Sequence, residues 1–247
     1  MKLKVINSGS TGNCYILESE RHILILECGV PFFEIKKALG FKLNKVVGCL
    51  MTHEHKDHSL CAKEMMNSGI KIYSTKGTFE ALGLIENPNA IEIDKYELIK
   101  SIPMFSFMAL KSKHDCKDPV IFVINHHEMG TTLFATDTKH VIDRIEGLSN
   151  IIIEANYCED IVREKSHNGT LNVYVDTRTM QNHMSLQTAI TALKFNDISK
   201  VNNIVLCHLS DRNTHEKRFK EQVQKATLKT VNIATPGLEI NFNKTPF

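Results

Sequence analysis

Short apolar runs separated by turn residues crowd the first third of the chain and predict strands over residues 3–7, 14–18, 22–27 and 46–51. The polar stretch Ser8-Gly9-Ser10-Thr11-Gly12-Asn13 turns the chain between the first two. Further strands are expected over 70–73, 106–111, 120–125, 131–136, 150–154, 203–207, 230–233 and 238–242. Apolar residues recur at helical spacing over 34–39, 59–67, 78–84, 186–195 and 215–226, with Thr78, Ser185 and Thr214 placed to cap three of these helices. Strands with helices between them imply two packed sheets covered by outer helices, in one α/β domain spanning 1–247. The polar segment 159–182 stands apart. Its Asn168-Gly169 pair marks a turn, and Leu171-Asn172-Val173-Tyr174-Val175 alternates like a strand, so a hairpin acting as a lid or flap is expected there, with an ordinary surface excursion as the alternative.

Composition narrows the class. With 247 residues, 42% hydrophobic and 23% charged, the chain is long enough for a sizeable core and carries no low-complexity tract. No run approaches the roughly 18 apolar residues of a membrane span, and no apolar stretch follows Lys2 and Lys4, so no membrane partner and a cytoplasmic location are expected. The seven cysteines are dispersed and never form a Cys-x-x-Cys pair, which fits small buried residues in a reducing compartment. A net charge of +2 neither demands nor excludes a polyanion.

The chemistry concentrates in His53-Glu54-His55-Lys56-Asp57-His58. A strand-type run precedes this string and a helical pattern follows it, so its donors sit on a loop fixed at both ends. Imidazole nitrogen and carboxylate oxygen suit zinc, manganese or iron. Lone histidines are usually satisfied core or surface residues, but no packed core needs four donors at the spacing His-x-His-x-Asp-His. The string supplies only part of a dinuclear site, and single donors at strand ends should complete it. His114, Asp137 and His208 each stand where an apolar run gives way to polar loop.

That order, His-x-His-x-Asp-His, then His, Asp and His, resembles the metallo-β-lactamase fold superfamily over essentially the whole chain. The resemblance implies an αβ/βα sandwich, two mixed sheets face to face with helices outside, and two divalent metal ions, Zn2+ first and Mn2+ or Fe as alternatives. It also implies that His53, His55 and His114 hold one metal, that Asp57, His58 and His208 hold the other, and that Asp137 bridges them. Asn182-His183-Met184-Ser185 looks like the histidine element of the phosphodiesterase branches, which include RNase Z, PhnP-type cyclic phosphodiesterases and YycJ-like proteins. In those relatives the histidine is catalytic and not a ligand; a histidine merely lining the helix start is the alternative for His183. The stretches 8–13 and 208–213 also look YycJ-like. Glu27 departs from the Asp usual in relatives, where that carboxylate braces the ligand loop.

From this resemblance follows a hydrolase in which a hydroxide activated by the metals attacks phosphorus. His183 is then the general acid, and Asp57 joins it as a site carboxylate that adds negative charge. Only 45 residues separate Asp137 from His183, too few for the inserted domain of β-CASP nucleases, and no Gly- and Pro-rich tRNA-gripping arm is recognisable. A long nucleic acid would then depend on a modest basic face that includes Lys36, Lys37, Lys42 and Lys45. The leading expectation is therefore a small phosphodiester, a 3′,5′-cyclic nucleotide of the cCMP, cUMP, cAMP or cGMP type. Phage anti-Pycsar enzymes share this branch and size. Tyr157, His167 and Tyr174 are candidates for base recognition, and a homodimer follows if segment 159–182 reaches a neighbouring subunit's site. The alternative is a DNA or RNA nuclease of YycJ or RNase Z type; a carbon-ester, lactam, lactone or thioester hydrolase and a metal-stabilised binding protein rank lower. His22, His126, His127, His140 and His215 read as surface or turn residues, and Glu54 and Lys56 as solvent-facing spacers.

Overall fold

A computed structural model of the chain describes residues 1–170, 172–210 and 212–246. The side chains of Val173, Tyr174 and Val175 also lie outside the described set, and with them the base-recognition role expected of Tyr174.

The first half runs β1 (Lys2–Asn7), β2 (Cys14–Glu18), β3 (Ile23–Leu26), α1 (Phe32–Ala38), β4 (Val46–Leu50), α2 (Lys56–Ser59), α3 (Ala62–Asn67), β5 (Ile72–Ser74), α4 (Lys76–Leu82) and β6 (Ala90–Glu92). The second runs β7 (Leu98–Ile102), β8 (Phe105–Lys111), β9 (Val120–His126), β10 (Gly130–Ala135), β11 (Leu148–Glu154), α5 (Glu159–His167), α6 (Val173–Asn182), α7 (Leu186–Phe195), β12 (Asn203–Cys207), α8 (Glu216–Thr227) and β13 (Thr230–Ile233). The last strand, β14 (Glu239–Asn241), returns to pair with β1. Two seven-stranded sheets result, ordered β14-β1-β2-β3-β4-β5-β6 and β13-β12-β11-β10-β9-β8-β7. Each begins as an antiparallel meander and continues as parallel strands from β3 to β6 and from β10 to β13.

The period of two along each strand explains why both sheet faces are covered. In β3, Leu24 and Leu26 enter the core between the sheets, while Ile23 and Ile25 face the layer that holds α1 and α3. In β11, Ile152 joins the inter-sheet core and Ile151 and Ile153 pack toward α7 and α8. Strands buried on both faces read as continuous apolar runs, as parallel strands do. Aromatic edges lock the central layer: Tyr15 meets Phe134 at 5.5 Å between ring centres, and Tyr73 meets Phe107 at 5.5 Å. Each such side chain contributes about 1.5–3 kcal/mol by leaving water.

Three expectations are corrected. Segment 159–182 is two helices, α5 and α6, and not a hairpin. The Asn168-Gly169 turn is real, with Gly169 in the left-handed region at φ 66°, but the residues after it coil. There the Asp176 N–H donates to the Asn172 carbonyl at 2.8 Å, and the Asp176 carboxylate accepts from the Asn172 N–H at 2.9 Å. This reciprocal pair outweighs a period-two pattern only five residues long. Thr75, not Thr78, caps α4, and His215, not Thr214, caps α8; the Thr214 hydroxyl donates instead to the Ser210 carbonyl at 2.7 Å. Ser185 caps α7 as expected, accepting from the Thr188 N–H at 3.1 Å. Strands β6 and β7, which are short or half-exposed, were not expected. No helix among the described residues is long and apolar enough to cross a membrane, and all seven cysteines are free thiols.

Candidate metal centre

The ligand loop leaves β4 through Met51 and Thr52 and enters α2 at Lys56. Its position is set by backbone contacts before any ligand is considered. The Asn13 N–H donates to the Asp57 carbonyl at 2.7 Å, and the Cys28 N–H donates to the His58 carbonyl at 2.9 Å. A Cβ on Gly29 would lie 1.7 Å from the Asp57 carbonyl oxygen, so only glycine lets the two segments touch. Glu27, fully buried, accepts from the Thr52 N–H at 3.3 Å with both oxygens and lies 3.7 Å from His58 Nδ1. It therefore braces the loop, as expected of the shorter Asp.

Three acidic or imidazole residues that end strands hold left-handed backbone: Glu27 (φ 63°), Asp137 (φ 45°) and His208 (φ 52°). For residues with a Cβ this conformation costs on the order of 1–3 kcal/mol each and persists only where the surroundings over-determine it. It turns each side chain out of its sheet and toward one point.

All seven sequence-predicted ligands converge there. His53, His55 and His114 form one donor set, and Asp57, His58, Asp137 and His208 form another, with the donor atoms of each set within 4.8 Å of one another. In the second set His58 Nε2 lies 3.4 Å from Asp57 Oδ2 and 3.3 Å from Asp137 Oδ1, and His208 Nε2 lies 3.4 Å from both carboxylates. In the first, His55 Nδ1 faces His114 Nε2 at 3.1 Å, and Asp137 Oδ2 lies 3.4 Å from His114 Nε2 and 3.9 Å from His53 Nε2. Asp137 thus turns one oxygen to each set. Donors arranged tetrahedrally on bonds of about 2.0–2.1 Å stand roughly 3.3 Å apart, so these spacings suit two ions of zinc size.

The outward-facing nitrogens support that fit. His53 Nδ1 meets the Thr52 hydroxyl at 2.9 Å, His114 Nδ1 meets the Asn182 carbonyl at 3.1 Å, and His208 Nδ1 meets the Asn156 amide at 2.9 Å. The Thr52 and Asn182 oxygens can accept from Nδ1 and so leave Nε2 of His53 and His114 for the cluster, the arrangement that orients metal-binding imidazoles, whereas the Asn156 amide donates to His208. The buried Nε2 of His53 has no hydrogen-bond partner, a vacancy for a bond that a metal would fill. Burial drives His53 and His114 below the ordinary imidazole range, which keeps them neutral and able to donate a lone pair. Burial opposes ionisation of Asp137, but the neighbouring His208 and His58 charges hold its carboxyl well below the usual range. Asp57 is held low in the same way, by hydrogen bonds from His208 and His58 working against burial.

His183 stands beside both sets without completing either. Its Nδ1 lies 2.6 Å from Glu154 Oε1 and 3.9 Å from Asp137 Oδ2. Burial would favour the neutral ring, yet the Glu154 charge and hydrogen bond raise it to about 9. Glu154, fully buried at the end of β11, also accepts from the N–H groups of Thr138 at 3.0 Å and Met184 at 3.2 Å. Sequence reasoning missed Glu154, Asn156 and Asn13, whose amide reaches His58 Nε2 at 3.1 Å. Glu154 did carry the signal used for Asp137, a carboxylate closing an apolar strand.

Above these groups opens a cleft of about 260 Å³, whose rim includes Ser10, Arg178 and Thr179 as well as His183. Helix α6 therefore forms one wall of its own chain's cleft. Neither Tyr157, buried and bridged to Ser185, nor exposed His167 lines it. Glu54 is half-buried and accepts the Lys117 N–H at 2.7 Å, so it is no free spacer, whereas Lys56 is exposed as expected. His126 is buried at the end of β9, with Nδ1 accepting from the Glu128 N–H at 3.2 Å.

No family model matches the chain. It is similar to exodeoxyribonuclease WalJ of Streptococcus pneumoniae, 25% identical over 263 aligned positions covering 98% of this chain and 92% of that protein. Exodeoxyribonuclease YycJ of Bacillus anthracis is 25% identical over 236 positions, covering 87% and 85%. Among solved structures, the metallo-β-lactamase fold protein YhfI of Bacillus subtilis superposes with a TM-score of 0.76 at 18% identity, covering 97% of this chain and 99% of that one. The paired mixed sheets, the outer helices and the strand-end cluster are those of the metallo-β-lactamase fold, and this chain has that fold.

Proposed function

We propose that the protein is a metal-dependent phosphodiesterase that acts at the end of a nucleic-acid strand. The observation that carries the chemistry is the placement of His183, locked by buried Glu154 beside two donor sets that share Asp137. A lactone, lactam or thioester hydrolase has no evident use for that histidine.

In this reading His53, His55 and His114 hold one divalent ion, Asp57, His58 and His208 hold the other, and Asp137 gives an oxygen to each. Zinc suits the donors best, and manganese or iron would accept the same set. When bound, such a pair supplies a hydroxide nucleophile at neutral pH and offsets charge on the phosphoryl oxygens. The chain's own residues do the rest. Glu154 fixes His183 through Nδ1, which leaves the Nε2–H to donate a proton to the departing sugar oxygen. Asp57 and Asp137 supply the negative charge that retains the ions. Closure of the site by α6 excludes water from one side.

Support for a strand substrate comes from the relatives. Proteins matching this chain over nearly their whole length are named exodeoxyribonucleases, so an activity on DNA needs neither an inserted domain nor a protruding arm at this size. That removes the argument from chain length that favoured a small ring. A 3′,5′-cyclic nucleotide remains the second reading because the cleft, at about 260 Å³, is small enough to enclose one. The ground for a homodimer weakens, since α6 completes the cleft of its own chain.

The test is turnover by zinc- or manganese-loaded protein of bis(p-nitrophenyl) phosphate, 5′-phosphorylated single-stranded DNA, 3′,5′-cyclic nucleotides and precursor tRNA. Hydrolysis of the DNA from an end is expected; hydrolysis of none of the four would refute the phosphodiesterase reading. His183→Ala should retain its metal and lose about 10²–10⁴-fold in turnover, the usual worth of a general acid. Loss of metal would make His183 a ligand instead.

A further inference from the structure

Some lysines are neutralised by nearby carboxylates. Lys117 pairs with Glu80 at 2.7 Å and Lys95 pairs with Asp118, both on the β8–β9 side of the molecule. Two are not. Lys113 and Lys139 have no ion-pair partner among the described residues, although each stands within two positions of a metal-centre residue, His114 or Asp137. The fold sets them side by side: the Lys139 N–H donates to the Lys113 carbonyl at 3.0 Å, and the Lys113 N–H meets the Thr138 hydroxyl at 3.3 Å. His140, beside them, is held below its ordinary value by burial and then by these two ammonium groups.

A third cation links this ledge to the cleft. Arg178, on the rim, donates from Nε to Asp115 Oδ2 at 3.0 Å, and the other oxygen of Asp115 lies 3.3 Å from His114 Nε2. Asp115 therefore pins the guanidinium to the ligand loop through Nε and leaves its terminal N–H groups for another acceptor. A fork of this kind is suited to a phosphate. From the cleft outward, the cations come from α6, from the loop after β8 and from the loop after β10.

We propose that Arg178, Lys113 and Lys139 form a track for the backbone phosphates of a single-stranded polynucleotide whose terminal phosphodiester lies in the cleft. The proposal rests on the phosphodiesterase reading for the position of that terminus. A cyclic mononucleotide carries one phosphate, which the cleft would consume, so unpaired cations outside it would have nothing to meet. Keeping two ammonium groups unneutralised beside a metal centre works against metal binding. An anion arriving with the substrate offsets that repulsion.

The test is binding, separate from turnover: fluorescence anisotropy of a fluorescein-labelled phosphorothioate octathymidylate with zinc-loaded protein at several salt concentrations. Each phosphate contact on a single strand contributes about 0.7 to the slope of log K against log salt. Lys113→Gln with Lys139→Gln should lower that slope by about 1.4, and Arg178→Gln should lower it by about 0.7. At low salt the Kd of the double variant should rise about tenfold or more, as expected for lost phosphate contacts. Lys63→Gln with Lys225→Gln, on α3 and α8, controls for overall charge. An unchanged slope in the first double variant, an equal fall in the control, or no binding by the wild type would each overturn the track. Turnover of bis(p-nitrophenyl) phosphate, measured in parallel, separates the two readings. Hydrolysis without a Lys113/Lys139-dependent slope sinks the track alone, and such a slope with no hydrolysis of bis(p-nitrophenyl) phosphate or of the other three substrates sinks the phosphodiesterase reading alone.

Discussion

The floor and the rim of the cleft are built by different means. On the floor, His53, Asp137 and His208 follow strands while Asp57 and His58 lie on the short α2, and three of the histidines are held from behind: His53 by Thr52, His208 by Asn156 and His183 by Glu154. On the rim, α5 and α6 are tied by polar bonds to the loop after β12 and to α8. Asp176, buried, accepts from the Asn213 amide at 2.9 Å; Lys165 reaches Asn213 at 2.8 Å; Arg218 reaches Asp160 at 2.6 Å. The floor is over-determined and the rim is pinned at a few points. The candidate donors sit on strand ends and the tightly tied loop and helix after β4, and the part that must admit a substrate sits on helices that can open by breaking a small number of bonds.

This contrast can be broken most severely at the carboxylate that faces both donor sets. Asp137→Ala should bring bound zinc below two per chain after dialysis and reduce hydrolysis of bis(p-nitrophenyl) phosphate by about 10³-fold or more, because both donor sets lose an oxygen worth several kcal/mol of charge stabilisation. Full zinc occupancy in that variant would remove Asp137 from its bridging role. A smaller loss is expected at Glu154→Gln. The amide keeps the shape but not the charge, so zinc content should hold while kcat drops about 10- to 100-fold, as for other groups that orient a site from behind. If kcat were unchanged, His183 would not depend on its buried partner. The smallest effect belongs to the rim. Asp176→Ala leaves the Asn213 amide unpaired, at a cost of about 1–3 kcal/mol. The cost should appear as local opening: limited proteolysis within 159–182 about tenfold faster, with zinc content and the cooperativity of global unfolding unaltered. Uniform destabilisation instead would mean that rim and floor are one unit.

The sequence discloses these two regions unequally. The candidate donors on the floor, and their convergence, were legible because an imidazole or carboxylate that interrupts an apolar strand has few structural reasons to be there, and because four of them fall within six residues. Asn13 and Asn156 were not, since each acts on a histidine that sheet pairing delivers from more than 40 residues away. The helices of the rim were misread as a hairpin because Leu171 to Val175 alternates in polarity, and nothing local reveals that Asp176 will fold back on the Asn172 backbone and be pinned to Asn213. Where tertiary bonds decide the conformation of a polar segment, periodicity has little to report. The third helix of this half, α7, was legible because its Ser185 cap and buried stripe act locally.

The division of strands between the two sheets has a consequence for how the molecule comes together. His53, His55, Asp57 and His58 belong to the half that builds the first sheet, while His114, Asp137 and His208 belong to the half that builds the second. With the ions assigned as above, neither half owns a complete donor set, and each ion is shared across the seam. Metal uptake then acts as a clasp that closes only after the halves have docked, so a chain cut in the loop between β6 and β7 would be expected to reassemble more tightly with zinc than with a chelator.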